Sequence, residues 1–328
     1  MSKKKTGEAH SHMWLVGMLG LSSGLALMIY VPSLKPVSNV LFLFAGFHIV
    51  GAVVAITSVY MMSGGRLLSR FSRPTHESTA ARFDFGWAPS WTLGPLVAAV
   101  VCIAAAVAIE VAAPHFWPLA VLGTLLAASF FAGHLAAAAT ADPGNAPLPM
   151  VDLVSGEHER VLDGGCGAGR TTIAISRTLR SGSIVAMDRF DSDYIAGGGR
   201  RLLERNLALA GLADRVEIKQ GDLTSLPFPD GSFDAAVSAH AIDHLGPGKQ
   251  KGLAEMRRVL KPGGKFLFVA WVPGWSMFAI ASVLSLFLTG KPAWRRMVSA
   301  AGFHIEEEGT FNGVWYLLLK SPAPPSAE

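Results

Sequence analysis

Residues 161–170, Val-Leu-Asp-Gly-Gly-Cys-Gly-Ala-Gly-Arg, decide the fold class of the second half of this chain. The apolar start predicts the end of a buried β-strand with Asp163 at its tip, and a helical pattern follows. Glycine recurs at alternate positions, Gly165, Gly167 and Gly169. Glycines let the backbone approach a ligand closely, and the next helix offers free N–H groups. The stretch therefore predicts a loop for a ligand with an anionic group, although a glycine-rich turn alone can equally bind nothing.

Beyond this loop, strand patterns alternate with helical patterns, which is typical of a parallel sheet covered on both faces. The first predicted strand ends at Asp163, and the others are Ser183–Met187, Val216–Lys219, Phe233–Ser238, Lys265–Ala270 and a hairpin of Phe303–Glu308 with Val314–Lys320. The predicted helices are Arg170–Leu179, Gly199–Ala210 and Lys249–Leu260, the last ended by a turn at Lys261–Gly264. The fold class predicted for this half is an α/β, Rossmann-like, doubly wound domain.

Acidic and polar residues stand at the carboxyl ends of four predicted strands. They are Asp163, Asp188, Asp222 and the run Ser238–His240. Ligands of open parallel sheets bind at this edge, so we expect these residues to line one pocket. Asp188 ends the second strand, where it would suit the hydroxyls of a ribose. Taken singly, each aspartate also fits a helix cap or a turn.

The first 140 residues contain four apolar runs, and the mean hydropathy of the chain is +0.39. The runs are Met13–Val31, Val40–Met62, Trp91–Ala113 and Phe116–Ala139. Each has about the 20 residues that a helix needs to cross a bilayer. We therefore predict a four-helix transmembrane domain at residues 1–140, a linker at 141–150 and the α/β domain at 151–328.

Basic residues set the predicted orientation of these helices. Lysines occupy positions 3–5 before the first run, whereas the two short connections hold only Lys35. Four arginines lie between the second and third runs, Arg66, Arg70, Arg73 and Arg82. The positive-inside rule then predicts a multi-pass inner (cytoplasmic) membrane protein with its N-terminus and α/β domain in the cytosol. The arginine-rich loop Ser63–Ser90 either meets anionic lipid headgroups or reaches the active site.

Composition bears on the other classes of partner. The net charge of +4 gives no nucleic-acid signature. The two cysteines, Cys102 and Cys166, form no spaced framework, so we expect neither a disulfide nor a metal site. Three ionisable residues within the apolar runs, His48, Glu110 and His134, either serve the function or lie at a helix end or interface. The small residues Gly20 and Gly24, four apart, predict close helix packing. The sequence leaves the oligomeric state open.

From about Glu157 to Pro322 the chain resembles the class I methyltransferases that depend on S-adenosylmethionine (SAM). Within that class it is similar to the group containing the ubiquinone/menaquinone biosynthesis C-methyltransferases. The matching stretches are Val161–Gly169, Ile184–Asp188, Gly221–Asp222, Leu226–Asp230, Ser232–Asp234, Val237–Ser238 and Leu260–Gly264. The resemblance implies a seven-stranded sheet with an antiparallel final hairpin, and SAM as the cofactor. It says little about the methyl acceptor.

The resemblance also implies roles for the first matching residues. The loop Gly165–Gly169 would pass under the methionine part of SAM, and Asp163 would order that loop and its bound water. Asp188 would bind the ribose hydroxyls, with Arg189 or Phe190 near the adenine. These residues would form the half of the pocket that holds the methionine and the ribose.

Further roles fall on residues after the third and fourth strands. Asp222 would accept a hydrogen bond from the adenine amino group, and Leu223 would donate one from its backbone. Ser238 to His240 would lie beside the reactive methyl. If the acceptor must lose a proton, the candidate bases are His240, Asp243 and His244. Asp243 and His244 could instead cap or face the next helix.

Three stretches bear on the acceptor. The four apolar runs have no counterpart in the soluble relatives, and Asp191–Arg201 is longer than usual, as a lid over the cofactor would be. Met277–Leu288 is apolar but too short to span a bilayer. It is either a buried core helix or an interfacial helix that admits the acceptor, with Trp271 and Trp275 at headgroup depth.

The function predicted from the sequence is therefore that of a membrane-bound SAM-dependent methyltransferase with a lipophilic acceptor. The acceptor would be a quinone, another prenylated ring or a lipid headgroup. Two alternatives stay open. One is methylation of a small thiol or other xenobiotic, with the helices as an anchor. The other is a SAM-binding membrane module without turnover.

Overall fold

The computed structural model of the chain describes residues 8–63, 83–86, 89–140, 147–154, 156, 158–179, 181–192, 195–274, 277 and 282–323. The chain forms two compact units. A helical unit holds four long helices and the described residues 274, 277 and 282–285, and an α/β unit holds the sheet and the described residues 83–86. The described residues 83–86 therefore belong with the sheet, although they lie between two helices of the helical unit in sequence.

Each of the four apolar runs forms a helix, as predicted. The helices are α1 (Glu8–Tyr30), α2 (Lys35–Ser63), α3 (Pro89–Ala112) and α4 (Trp117–Thr140). Among the described side chains, Leu93–Ala112 and Pro114–Leu135 are long and apolar enough to cross a membrane. The described side chains of α1 and α2 give shorter apolar helices, Val16–Tyr30 and Lys35–Phe47. Within the described residues, two helices therefore have the length and composition of membrane spans, so the prediction of four transmembrane helices is confirmed only in part.

Small residues bring α1 and α2 close together. A Cβ atom on Gly17 would lie 2.9 Å from Ile49 Cγ1, and one on Gly24 would lie 3.1 Å from Phe42 Cε1. The Ser38 hydroxyl donates a hydrogen bond of 2.7 Å to the carbonyl of Gly24. Larger side chains at these glycines would separate the helices, so the close packing predicted from glycine spacing is present.

Two of the three ionisable residues in the apolar runs have described side chains. Glu110 is buried near the C-terminal end of α3, with 7% of its surface exposed. His134 is half-buried in α4, and its ring centroid lies 6.3 Å from that of Phe131. The side chain of His48 lies outside the described residues. Burial of Glu110 favours packing among helices over exposure at an interface.

The α/β unit is built on a seven-stranded sheet with strand order β3-β2-β1-β4-β5-β7-β6. Strands β1 to β5 are parallel, and β7 pairs antiparallel with both β5 and β6. The strands are β1 (Arg160–Gly164), β2 (Ser183–Asp188), β3 (Val216–Gln220), β4 (Phe233–Ala239), β5 (Leu260–Ala270), β6 (His304–Phe311) and β7 (Val314–Lys320). The helices are α5 (Arg170–Ser176), α6 (Arg200–Leu209), α7 (Lys249–Val259) and α8 (Lys291–Ala300). This sheet is the Rossmann-like methyltransferase fold that the resemblance implied, including its final hairpin.

Strand β5 begins five residues before its predicted start at Lys265. Leu260 pairs with Phe233, and the register then shifts before the regular pairing begins at Lys265. Within this bulge Gly263 has φ +77° and donates its N–H to the carbonyl of Ser321. The predicted turn at Lys261–Gly264 is therefore part of a bulged strand, because a distant segment supplies hydrogen-bond partners.

The sheet is buried on both faces, as parallel sheets require. On one face, Phe268 is fully buried and its ring centroid lies 4.7 Å from that of Trp294 and 6.3 Å from that of Trp315. On the other face, Val161 and Ile184 pack in a second cluster. In β1, β2, β4 and β5, neighbouring side chains enter opposite clusters. Because β1 to β5 are parallel, their carboxyl ends lie at one edge of the sheet.

Replacing Phe268 with alanine should lower the free energy of unfolding of the α/β unit by roughly 3–5 kcal/mol, since a cavity adds to the lost burial. Urea denaturation followed by tryptophan fluorescence measures this loss. Phe287→Ala is the matched control, because the Phe287 side chain is 85% exposed and should be nearly silent. Equal losses for the two variants would contradict the assigned core.

Candidate active site

The glycine loop after β1 has the backbone geometry that its sequence predicts. Gly165, Gly167 and Gly169 have φ of +84°, +51° and +88°, where other residues are strained. A Cβ on Gly165 would overlap the Cβ of Ala241, and one on Gly169 would lie 2.5 Å from Leu203 Cδ1. Glycine is therefore required here both for the turn and for the space around it.

Two neighbouring residues of β2 hold this loop. The N–H groups of Gly165 and Cys166 both donate to the carbonyl of Met187, at 2.7 and 3.2 Å. The Gly167 N–H donates to Asp188 Oδ2 at 2.9 Å, and the Phe190 N–H donates to Oδ1 at the same distance. Asp188 thus ties the loop after β1 to the chain after β2. The outer lone pairs of its carboxylate remain suited to ribose hydroxyls.

Asp163 lies fully buried at the end of β1. The Thr172 hydroxyl donates to its Oδ2 at 2.6 Å, while Oδ1 has no hydrogen-bond partner among the described residues. Burial, assisted by the nearby charge of Asp188 and opposed by the hydrogen bond from Thr172, raises the pKa of Asp163 to about 7. A ligand donor or a bound water could therefore pair with Oδ1 and favour the ionised form.

Asp222 and Arg189 face each other at the exposed end of the site. The backbone N–H and the hydroxyl of Thr224 both donate to Asp222 Oδ1, at 2.7 and 2.8 Å. These bonds hold the pKa of Asp222 below its usual value. Arg189 Nη1 lies 4.0 Å from Asp222 Oδ2, and Arg189 Nε lies 3.3 Å from Asp191. Asp222 is therefore an ionised acceptor fixed at the end of β3.

Leu223 is buried, and its side chain packs against the end of β1. Its Cδ2 would lie 2.9 Å from a Cβ placed on Gly164. Ser238, in β4, is also fully buried, and its hydroxyl has no hydrogen-bond partner among the described residues. The cofactor-binding roles of Leu223 and Ser238 stay predictions.

His240 adopts a backbone conformation that is rare outside glycine, with φ +58°. Its N–H donates to the carbonyl of Val269, and its ring stacks on Trp271 with centroids 4.6 Å apart. Its side chain is 30% exposed, and loss of water contact lowers the pKa of His240 to about 4. The imidazole is therefore neutral at pH 7.

The structure brings Asp243 close to His240 but leaves His244 at the surface. His240 Nδ1 lies 4.0 Å from Asp243 Oδ2, and that carboxylate accepts the N–H of Trp271 at 3.2 Å. Asp243 is 7% exposed, whereas His244 is exposed. Asp243 therefore orients the Trp271 backbone, and through it the ring on which His240 stacks.

The contacts of three residues near the site were not predicted from the sequence. Trp271 stacks on His240, a contact that the sequence does not indicate; its headgroup depth stays a prediction, and Trp275 lies outside the described residues. Thr172 binds Asp163, a contact that its place in the first turn of a helix does not indicate. Arg170 carries its guanidinium 5.7 Å from the ring of Phe85. The hypothesis that the loop Ser63–Ser90 reaches the active site gains support from this last contact.

The residues present fit SAM. The glycine loop supplies a cradle that a Cβ would fill, and Asp163 Oδ1 is a buried acceptor without a partner among the described residues. Asp188 and Asp222 supply fixed carboxylates at the adjacent strand ends. Amino, hydroxyl and adenine donors of one extended ligand would meet these acceptors in order along the sheet edge.

Comparison with known proteins agrees with this fit. Residues 162–268 match the family model described as a methyltransferase domain. Residues 162–268 are thus a methyltransferase domain, with SAM as its cofactor.

Three curated relatives are similar over this region. The fatty-acid O-methyltransferase of Mycolicibacterium smegmatis is 32% identical over 156 residues, 48% of this chain and 48% of that protein. The demethylmenaquinone methyltransferase of Lactiplantibacillus plantarum is 32% identical over 37% of this chain and 47% of its own length. The ubiquinone/menaquinone biosynthesis C-methyltransferase of Azotobacter vinelandii is 39% identical over 33% of this chain and 40% of its own length. The chain thus spans less than half the length of each.

Asp188→Ala should abolish SAM binding in isothermal titration calorimetry. The change removes the acceptor for the Gly167 N–H and the carboxylate predicted to meet the ribose. Asp191→Ala is the matched control, because Asp191 is 60% exposed and pairs only weakly with Arg189. Its affinity should stay within about threefold of the parent. Unchanged affinity of Asp188→Ala would mean that the cofactor site is misassigned.

The raised pKa of Asp163 predicts a pH dependence of stability. Between pH 3.8 and about 7 the folded carboxyl keeps a proton that the unfolded chain has lost. The free energy of unfolding of the ligand-free protein should therefore fall as pH rises across this window, by roughly 4 kcal/mol. Asp163→Asn, which is neutral throughout, should lack that fall in urea titrations. Parallel pH profiles for the two proteins would refute the assignment.

Proposed function

We propose that this protein is a membrane-bound SAM-dependent methyltransferase that acts on a lipophilic acceptor. The observation that carries the proposal is the union, in one chain, of a methyltransferase domain with four long apolar helices. The acceptor class is a quinone, another prenylated ring or a lipid headgroup. A soluble substrate would not require the helices.

The names of the relatives support an apolar acceptor. Relatives of this domain are named for a fatty acid, a sterol and demethylmenaquinone. Their chemistry differs between oxygen and carbon acceptors, whereas their substrates share a long apolar part. The shared feature is therefore the lipophilic acceptor, and the methylated atom is left open.

The surface of the helices supports insertion in a bilayer. Large apolar side chains are exposed along α3 and α4, including Val97 at 61%, Val101 at 61% and Leu122 at 51%. In water such an array would be a costly apolar surface, whereas in lipid it is solvated. We infer that all four helices span the membrane, with the positive-inside rule placing the α/β domain in the cytosol.

The apolar stretch after β5 supports delivery of the acceptor from the membrane. Its described end is a 3-10 helix, Ser282–Phe287, in which Leu286 and Phe287 are 69% and 85% exposed. Met277 is buried, and the intervening residues 278–281 lie outside the described part. An exposed apolar pair favours an interfacial segment over a wholly buried core helix.

Methyl transfer here depends mainly on alignment. When bound, SAM supplies an electrophilic methyl group on a positively charged sulfur. The glycine loop, Asp188 and Asp222 would fix the donor, so that an acceptor atom can approach in line with the methyl. The neutral ring of His240, stacked on Trp271, would line the acceptor side. With a pKa near 4 it orients an acceptor better than it removes a strongly held proton.

The proposal predicts label transfer from methyl-labelled SAM into an organic-soluble product. The full chain in lipid nanodiscs is supplied with total membrane lipid extract or, separately, with small thiols. Asp188→Ala serves as the inactive control and Asp191→Ala as the active one. Label in the lipid phase supports the proposal. Label in thiols alone would overturn the lipophilic acceptor. Bound but unreacted SAM in every pool would favour a binding module instead.

A further inference from the structure

A short piece of the connection between α2 and α3 is built into the methyltransferase unit. Residues 83–86 belong to this unit, and the Phe85 side chain is 8% exposed within the core cluster that contains Ala168. The rings of Phe83 and Phe85 stack, with centroids 6.1 Å apart. Asp84 Oδ1 accepts the N–H of Gly86 at 2.8 Å, which closes a tight turn. We call residues 83–86 the docking segment.

Asn206 of α6 joins the docking segment to the glycine loop. Its side chain is fully buried, and its Oδ1 accepts the N–H of Asp84 at 3.1 Å. Its Nδ2 donates to the carbonyl of Asp84 and to the carbonyl of Ala168, both at 2.8 Å. Ala168 lies between the last two glycines of the loop. One amide thus bonds the backbones of two segments that are far apart in sequence.

The docking segment also meets the residue that follows the loop. Arg170, the first residue of α5, carries its guanidinium over the ring of Phe85. The loop is therefore held at successive positions, by Asp188 at Gly167 and by Asn206 at Ala168. A backbone with three positive-φ glycines loses much entropy when it is fixed. Contacts that fix it before the ligand arrives increase affinity.

We propose that the docking segment and Asn206 are part of the cofactor site. Asn206 is a positioning residue: it holds the Ala168 carbonyl, and hence the glycine loop, in the shape that receives SAM. The segment that it binds comes from the connection between two apolar helices. Affinity for SAM therefore depends on residues outside the methyltransferase domain in sequence. This proposal rests on SAM binding at the loop and not on the acceptor.

Asn206→Ala in the detergent-solubilised full chain should weaken SAM binding about tenfold or more, measured by calorimetry. Hydrogen exchange should become faster in the peptide that covers residues 165–170. Gln250→Ala is the matched control, because Gln250 also donates a side-chain amide to a backbone carbonyl, that of Met297, between α7 and α8. It should leave SAM affinity and exchange in the loop unchanged.

With Phe303→Ala, which removes a buried phenylalanine from the opposite core cluster, as its control, Phe85→Ala tests the same site from the docking segment. It should weaken SAM binding, and adding it to Asn206→Ala should cost little more, because both changes release the same loop. If Asn206→Ala does not fold, Phe85→Ala decides the question. Folded variants with parent affinity for SAM and lower stability alone would overturn the proposal. These assays contain no acceptor, so failure of methyl transfer to lipid leaves their result intact.

Discussion

The hydrogen bond from the Gly167 N–H to the Asp188 carboxylate is the contact on which the site depends. It joins residues 21 positions apart and fixes the loop after β1 against the end of β2. Because β1 and β2 are neighbouring parallel strands, their carboxyl ends coincide, and the bond forms without distorting either strand. The loop then takes the positive-φ shape that glycine adopts without strain. The cofactor fit, the acceptor side and the contact with Asn206 all build on this fixed loop.

The carboxylates along this edge differ in character, although their sequence context is alike. Burial raises the pKa of Asp163, whereas hydrogen bonds from Thr224 lower that of Asp222. One carboxyl is thus ready to ionise when a donor arrives, and the other is charged beforehand. Both arrangements suit an extended ligand with a cationic end and a neutral adenine end. His240 directly follows β4 on the same edge, and its neutral ring suits an uncharged acceptor.

Local sequence was sufficient for much of this architecture. The glycine spacing of 165–169, the polar strand ends and the final hairpin were all predicted, because each is set by residues close in sequence. The early start of β5 was not, since its bulge depends on hydrogen bonds with Ser321. The bond between Asp84 and Asn206 spans 122 residues, and no periodicity or motif indicates it. The stacking of Trp271 on His240 likewise depends on the pairing of β4 with β5.

The chain combines a donor site that its fold explains with helices whose surfaces suit lipid. We propose that the methyl group reaches a molecule held in the membrane. Mass spectrometry of membrane lipids from otherwise identical cells, with and without this protein, tests that claim most directly. We expect a lipid or quinone species that is heavier by one methylene and appears only when the protein is present. Identical lipid profiles, with a methylated water-soluble compound in their place, would contradict it.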